Sequence, residues 1–228
     1  QMFSTLPMGI VVAQNAVITV CLEDSIILRS IAEGAVKGVH TALRTRFVFQ
    51  ILLRVAGRFL KNLRMIERDF TRIEKRLYDS LKNEELIQLL GLSKSLVYFS
   101  ASLKGNEVTM EKVLRGRVLK LYEDDRDILE DALIEIRQAI EMAGIYSSIL
   151  SGTMDAYASV VSNNLNIIMK VLTILTIIMT IPNIIFGFYG MNIKGGGLPG
   201  DFVWWIPLLI SVAACFFAWF MLKKKNLD

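Results

Sequence analysis

The chemistry in this chain is carried by a run of small and polar residues spaced alternately four and three apart. They are Asp155, Ser159, Ser162, Asn166, Met169, Thr173, Thr176, Thr180, Asn183 and Gly187. That alternation is a seven-residue repeat, the period of a helix in a parallel bundle. Asparagine and threonine supply neutral oxygens, and Asp155 adds a carboxylate. A parallel apolar stripe, Leu150, Met154, Tyr157, Val161, Leu165, Ile168, Leu172 and Leu175, runs beside it. Polar groups at membrane depth face a bundle interior or a water-filled cavity. Two readings follow. The stripe lines a pore built from one such helix per copy, with Met169 and Leu172 as a hydrophobic constriction. Or it is glue between helices, through threonine and asparagine hydrogen bonds.

Two apolar segments must position that stripe. Val171–Met191 and Phe202–Leu222 contain no charged side chain. Each is about 21 residues, or about 30 Å as a helix, the thickness of a bilayer core. Lys170 precedes the first, and Lys223, Lys224 and Lys225 follow the second, while the loop between carries only Lys194 and Asp201. The positive-inside rule then places both termini in the cytoplasm and the loop outside. Trp204 and Trp205 fall at the outer interface and Trp219 near the inner one, as an aromatic belt would.

The charged residues are concentrated ahead of these spans. Near the start, Ile10–Val12 and Ala16–Val20 read as short strands joined at Gln14-Asn15. Two strands alone are marginal, so they are expected to belong to a larger α/β domain, with further chain ahead of Gln1. From there to Ile181 there is no proline, and apolar residues recur every three or four positions. With Gly91 and Lys104-Gly105-Asn106 taken as breaks, the pattern predicts helices over about 40–65 and about 67–103, and a third from near Val108 into the first span. A helix that long, about 120 Å, cannot bury itself in a monomer, so self-assembly is implied. The predicted fold class is a mainly α membrane protein. Residues 1–35 are the end of an α/β cytoplasmic domain and 36–165 a cytoplasmic helical stalk region. Residues 166–192 form the first span, 193–201 an outer loop, and 202–228 the second span with a basic cytoplasmic tail.

The first span ends in Phe186-Gly187-Phe188-Tyr189-Gly190-Met191-Asn192. Tyr-Gly-Met-Asn after the first of two C-terminal spans resembles the signature of the CorA family of magnesium and divalent metal ion transporters. Lys170-Val171-Leu172-Thr173, Pro182, Asp155-Ala156-Tyr157 and the terminal lysines resemble it too. The resemblance implies a homopentamer in a cell membrane that passes Mg2+, and Co2+ or Ni2+ with it, down the electrochemical gradient. It implies a selectivity filter at Tyr189, Gly190, Met191 and Asn192, with Asn192 and Asn166 meeting the ion. It also implies gating by cytoplasmic Mg2+, so that Mg2+ is both cargo and regulator. By distance from the motif, Asp131 falls where the family has a regulatory carboxylate; the plain alternative is a solvated acidic helix face with Asp124, Asp125, Asp127 and Glu130. The motif suits Mg2+ physically: the ion dehydrates reluctantly, so amide and backbone oxygens can grip its water shell instead. The outer loop departs from relatives that carry acids there, and Thr180 stands where some carry a bulky residue.

Other function classes fit poorly. No nucleophile–base pair, P-loop or dinucleotide turn is present, so no enzyme is expected. No basic stripe interleaved with aromatics points to nucleic acid. Cys21 and Cys215 form no metal spacing or disulfide framework. His40, the one histidine, reads as structural. The alternatives are a Zn2+ transporter of the same superfamily, resembling ZntB, and a membrane-anchored coiled-coil scaffold.

Overall fold

The structure is a computed structural model and describes residues 2–36, 38–80, 83–116, 119, 121–189 and 205–225. The chain divides into two compact units, Gln1–Asp155 and Ala156–Asp228. It is mainly helical.

The first unit opens with an antiparallel hairpin, β1 (Met8–Val12) and β2 (Val17–Cys21), in the register Met8↔Cys21 to Val12↔Val17. Ala13 N–H donates to the Ala16 carbonyl at 2.8 Å and closes the turn around Gln14-Asn15. One face of each strand is half-buried and the other exposed, the period of two that a one-sided sheet requires. A short helix, α1 (Ile26–Ala32), follows; the sequence pattern did not single it out. Gly34, at φ +67, supplies the left-handed residue just past its end. His40 is exposed and its carbonyl accepts from Leu43 N–H ahead of the next helix.

Three long helices make the body of this unit: α2 (Arg44–Ser80), α3 (Asn83–Leu114) and the first part of α4 (Glu123–Tyr189). Their seams follow strict heptads. On α3 the buried and half-buried positions include the series Glu85, Leu89, Leu92, Leu96, Phe99, Leu103, Asn106, Met110 and Val113, with Ser95 buried beside it; on α4 they include Asp125, Leu129, Ala132, Ile136, Ala139, Ala143, Tyr146, Leu150 and Thr153, with Leu133 and Tyr157 buried beside it. Both sets step by four and three, the signature of knobs-into-holes packing. Side-chain bonds fix the directions. Arg46 to Asp125, Glu67 to Tyr146 and Glu74 to Thr153 are each 79 residues apart, so α2 and α4 run parallel in constant register. Arg137 of α4 grips Glu107 and Glu111 of α3, at 2.9 and 2.7 Å, while Leu114 and Arg115 share a cleft with Glu130 and Leu133, so numbers rise on one helix as they fall on the other and α3 is antiparallel to α4.

The helix boundaries differ from those predicted. No break occurs at residues 65–67, because Leu63, Ile66 and Ile73 keep one buried face through that point. α2 instead continues to Ser80, and α3 begins at Asn83. Its signal is local: Asn83 followed by Glu84 and Glu85, acids in the first turn of α3. Gly91 and Gly105 lie inside α3 without interrupting it. Each costs about 1 kcal/mol against alanine, which the buried seam outweighs. α3 stops at Gly116, φ +67, whose N–H bonds the Val113 carbonyl at 2.9 Å. α4 restarts at an acidic first turn, Glu123, Asp124 and Asp125.

In the second unit α4 continues to Tyr189 and α5 spans Trp205–Lys225. α3 is also long and apolar enough to cross a membrane, but its seam is packed inside the bundle. None of the most apolar stretch of α4 is buried. α5 carries an apolar run, Pro207–Met221.

Arg46 Nε donates to Asp125 Oδ1 at 2.7 Å, with the Asp125 side chain 10% exposed, and this pair sets the register of α2 against α4. Removing one partner of such a pair leaves a buried charge alone. Arg46→Ala should destabilise the first unit by about 3 kcal/mol. Chemical denaturation of the detergent-solubilised chain checks it, and a double Arg46→Met, Asp125→Leu variant should recover most of the loss.

Candidate functional site

The polar heptad of the sequence is present on one helix. Asp155, Ser159, Ser162, Asn166, Met169, Thr173, Thr176, Thr180, Asn183 and Gly187 all lie on α4, and all are exposed in the single chain. The stripe is not the contact face of α5: the half-buried positions between residues 173 and 188 are Ile174, Ile178, Ile181, Pro182 and Ile185. Thr173, Thr176 and Thr180 each donate their hydroxyl to the carbonyl four residues earlier, at 2.7 to 2.8 Å. The donor is thereby satisfied within the helix, and the oxygen lone pairs remain on the open face. Within one chain these three threonine hydroxyls therefore bond their own helix rather than a neighbouring one. Leu172 is 53% and Met169 57% exposed, on or beside the same stripe.

Followed toward the N-terminus, the same register passes Gly152, Ser148, Ile145, Glu141, Gln138, Ile134, Asp131 and Asp127. Every one is exposed, opposite the seam that packs on α2 and α3. The acids on this open stripe are Asp127, Asp131, Glu141 and Asp155. Sequence reasoning singled out Asp131 and Asp155 separately; continuing the period would have found Glu141 as well. Asp124 and Asp125 belong elsewhere: the Asp125 carboxylate and the Asp124 carbonyl are both held by Arg46. Glu130 pairs with Arg126 at 2.7 Å. Among the described residues no three His, Cys, Asp or Glu side chains converge, so Asp131 needs ligands from beyond this set to hold an ion.

One acid missed by the sequence pattern sits beside Asp131. Glu135 packs against α2, where a Cβ added at Gly57 would lie 3.3 Å from its Oε2. That oxygen is buried without a hydrogen-bond partner among the described residues. Burial, and secondarily the Asp131 charge, pushes the Glu135 carboxyl above the ordinary range. Tyr146 is likewise pushed up, to about 12, by burial and by its 2.8 Å bond to Glu67.

In the second unit, Pro182 lies inside α4 and Cys215 Sγ of α5 lies 3.5 Å from the Ile178 carbonyl. Ser211, one turn earlier on α5, is 4% exposed. The side chain of Tyr189 and the residues Gly190, Met191 and Asn192, with the loop 193–201 and Trp204, lie outside the described residues.

A terminal hairpin, a parallel–antiparallel helical bundle and a long helix with an uncovered polar stripe define a mainly helical membrane protein. The model of the family described as CorA-like Mg2+ transporter protein matches residues 1–224. The chain belongs to that family. It is similar to the cobalt/magnesium transport protein CorA of Methanocaldococcus jannaschii, 29% identical over 198 residues, 83% of this chain and 61% of that one. It is also similar to the protein of the same description from Thermotoga maritima, 35% identical over 115 residues, 44% of this chain and 32% of that one. The chain thus spans about three fifths and one third of these relatives. Among solved structures, the complete CorA magnesium transporter of Methanocaldococcus jannaschii has the same fold, at TM-score 0.79 and 21% identity, covering 95% of this chain and 74% of that one. The full-length CmaX protein follows at TM-score 0.70 and 18% identity, covering 91% and 64%.

The raised Glu135 carboxyl gives a signed prediction. A group whose folded pKa is raised contributes stability below its unfolded pKa and loses it as pH rises through the folded value. At neutral pH the ionised Glu135 is therefore a liability. Glu135→Gln should raise the melting temperature near pH 7, with the gain disappearing below about pH 4, the ordinary glutamate range; a thermal melt series across pH measures it.

Proposed function

We propose that this chain conducts Mg2+, with Co2+ as a second cargo, through a homopentameric pore in the cell membrane, both termini cytoplasmic. The observation that supports this most is the exposed oxygen-bearing stripe of α4, unbroken from Asp155 to Gly187 and not used by α5. A helix with such a stripe in lipid needs copies of itself around a wet path. Two curated relatives described as cobalt/magnesium transport proteins support the choice of cargo. In this reading Asn192, with Gly190 and Met191 beside it, forms the filter at the outer mouth. Asn166 is a second polar ring, Met169 and Leu172 narrow the path, and Thr173, Thr176, Thr180, Asn183 and Gly187 line it.

Hydrated Mg2+ fits neutral oxygens better than a stripping cage, because its water shell is costly to remove. Acids on the open stripe, Asp127, Asp131, Glu141 and Asp155, gather cations on the cytoplasmic side. No fuel is required: a double charge falling through 100 mV gains about 4.6 kcal/mol. Asp131 is the proposed regulatory ligand, completed by carboxylates of a neighbouring copy or of other chain segments.

In liposomes under an inward-negative potential, the native chain should take up Mg2+ and Co2+, with Zn2+ run in parallel as the competing cargo. Asn192→Ala should cut uptake at least about tenfold, the effect of losing one ring of ion-facing dipoles in every copy. Native-like uptake by that variant would remove the filter assignment. Asp131→Ala should shift Mg2+-dependent closure to higher Mg2+ without altering the open-state rate. A closure curve that superimposes on the native one would remove the regulatory role.

A further inference from the structure

Proline at position 182 cannot donate to the carbonyl four residues earlier, which is Ile178. In a helix within lipid such a freed carbonyl has no water to turn to, and leaving it unpaired is costly. The bond recorded between the two helices of this unit meets that acceptor: Cys215 Sγ of α5 lies 3.5 Å from the Ile178 carbonyl. The two helices approach closely there, with Ser211 buried one turn before Cys215 and Ile178 half-buried on α4. A thiol is a weak donor of the right size for a tight interhelical contact.

We propose that the Ile178 carbonyl freed by Pro182 and the Cys215 thiol form one interhelical joint, which makes Cys215 a positioning residue for the pore helix. The joint holds the turn of α4 around Pro182 and so aligns Asn183 and Gly187, beyond the break, with Thr173, Thr176 and Thr180 before it. Proline breaks are where helices bend, so whatever fills the vacated bond sets how the two halves of the stripe line up. The bond itself stands on the geometry alone; its effect on conduction rests on the proposed pore.

The experiment uses the whole chain in liposomes and separates these two parts. In a Cys21→Ser background Cys215 is the remaining thiol, so its S–H stretching band reads the bond directly. The band should fall at the lowered frequency of a bonded thiol. It should move to the free-thiol position in Pro182→Ala, where the backbone N–H restored by the substitution reclaims the carbonyl. A free-thiol band in the parent, or a band indifferent to Pro182→Ala, overturns the joint. For conduction, Cys215→Ala should lower Mg2+ uptake about threefold, the size of shift that an interhelical hydrogen bond in a membrane supports. Cys215→Ser should restore it, and in the Pro182→Ala background Cys215→Ala should change nothing further. Equal losses from Cys215→Ala with and without Pro182 overturn the positioning role. A bonded band with uptake unmoved by Asn192→Ala as well as by Cys215→Ala counts against the pore, and with it the alignment.

Discussion

Everything in this chain depends on one helix keeping a single seven-residue register through two different surroundings. α4 presents Leu129, Ile136, Ala143 and Leu150 to α2 and α3, and the positions from Asp127 to Gly187 on another stripe. An unsupercoiled helix drifts about 20° per heptad, so over the roughly nine heptads from Asp127 to Gly187 its stripe would turn by about half a circle. A strict four-three alternation instead demands left-handed supercoiling. The demand is met in the first unit by α2 and α3, whose seams share the period. The residues of the open stripe are therefore placed by the same repeat that packs the seam.

The distribution of polarity along α4 follows the cost of burying it. The carboxylates of the open stripe end at Asp155, and from Ala156 to Met169 no charged side chain occurs. Beyond Lys170 the stripe carries only neutral oxygens, where a charge would cost at least about 2.5 kcal/mol. The threonines lower even that cost by bonding their hydroxyls back to the helix. Such a hydroxyl can be inserted in lipid with its donor already satisfied and its lone pairs on the open face.

Most of this was legible in the sequence, for physical reasons. The heptad stripe was readable because it is a periodic pattern over many turns, and the hairpin because its alternation and turn are local. The helix boundary expected near residues 103–108 was misread because a glycine was given the weight of a break, and the one expected at 65–67 carries no capping signal. Gly91 and Gly105 cost little against a buried seam, while the real ends carry capping signals: Asn83-Glu84-Glu85, Gly116 and Glu123-Asp124-Asp125. The short α1 has no buried residue and so no periodic signal. Glu135 could not be foreseen, because its burial comes from an approach of α2 at Gly57 that only tertiary packing creates.

The seams also show where polarity serves specificity. Glu85 and Asp125 occupy heptad positions that would be apolar in a uniform coil. Asp125 is matched by Arg46, and the offset of 79 residues that this pair sets recurs at Glu67–Tyr146 and Glu74–Thr153. A slip of one heptad would leave every apolar contact roughly in place, since leucine and alanine recur at each repeat. It would also leave the Asp125 carboxylate opposite Leu53 or Val39, without its cation. Apolar burial thus supplies the affinity between α2 and α4, whereas the polar pairs choose the register. The period of the seam, rather than its axial register, decides which α4 positions of the first unit are left uncovered, and that uncovered stripe carries Asp127, Asp131, Glu141 and Asp155.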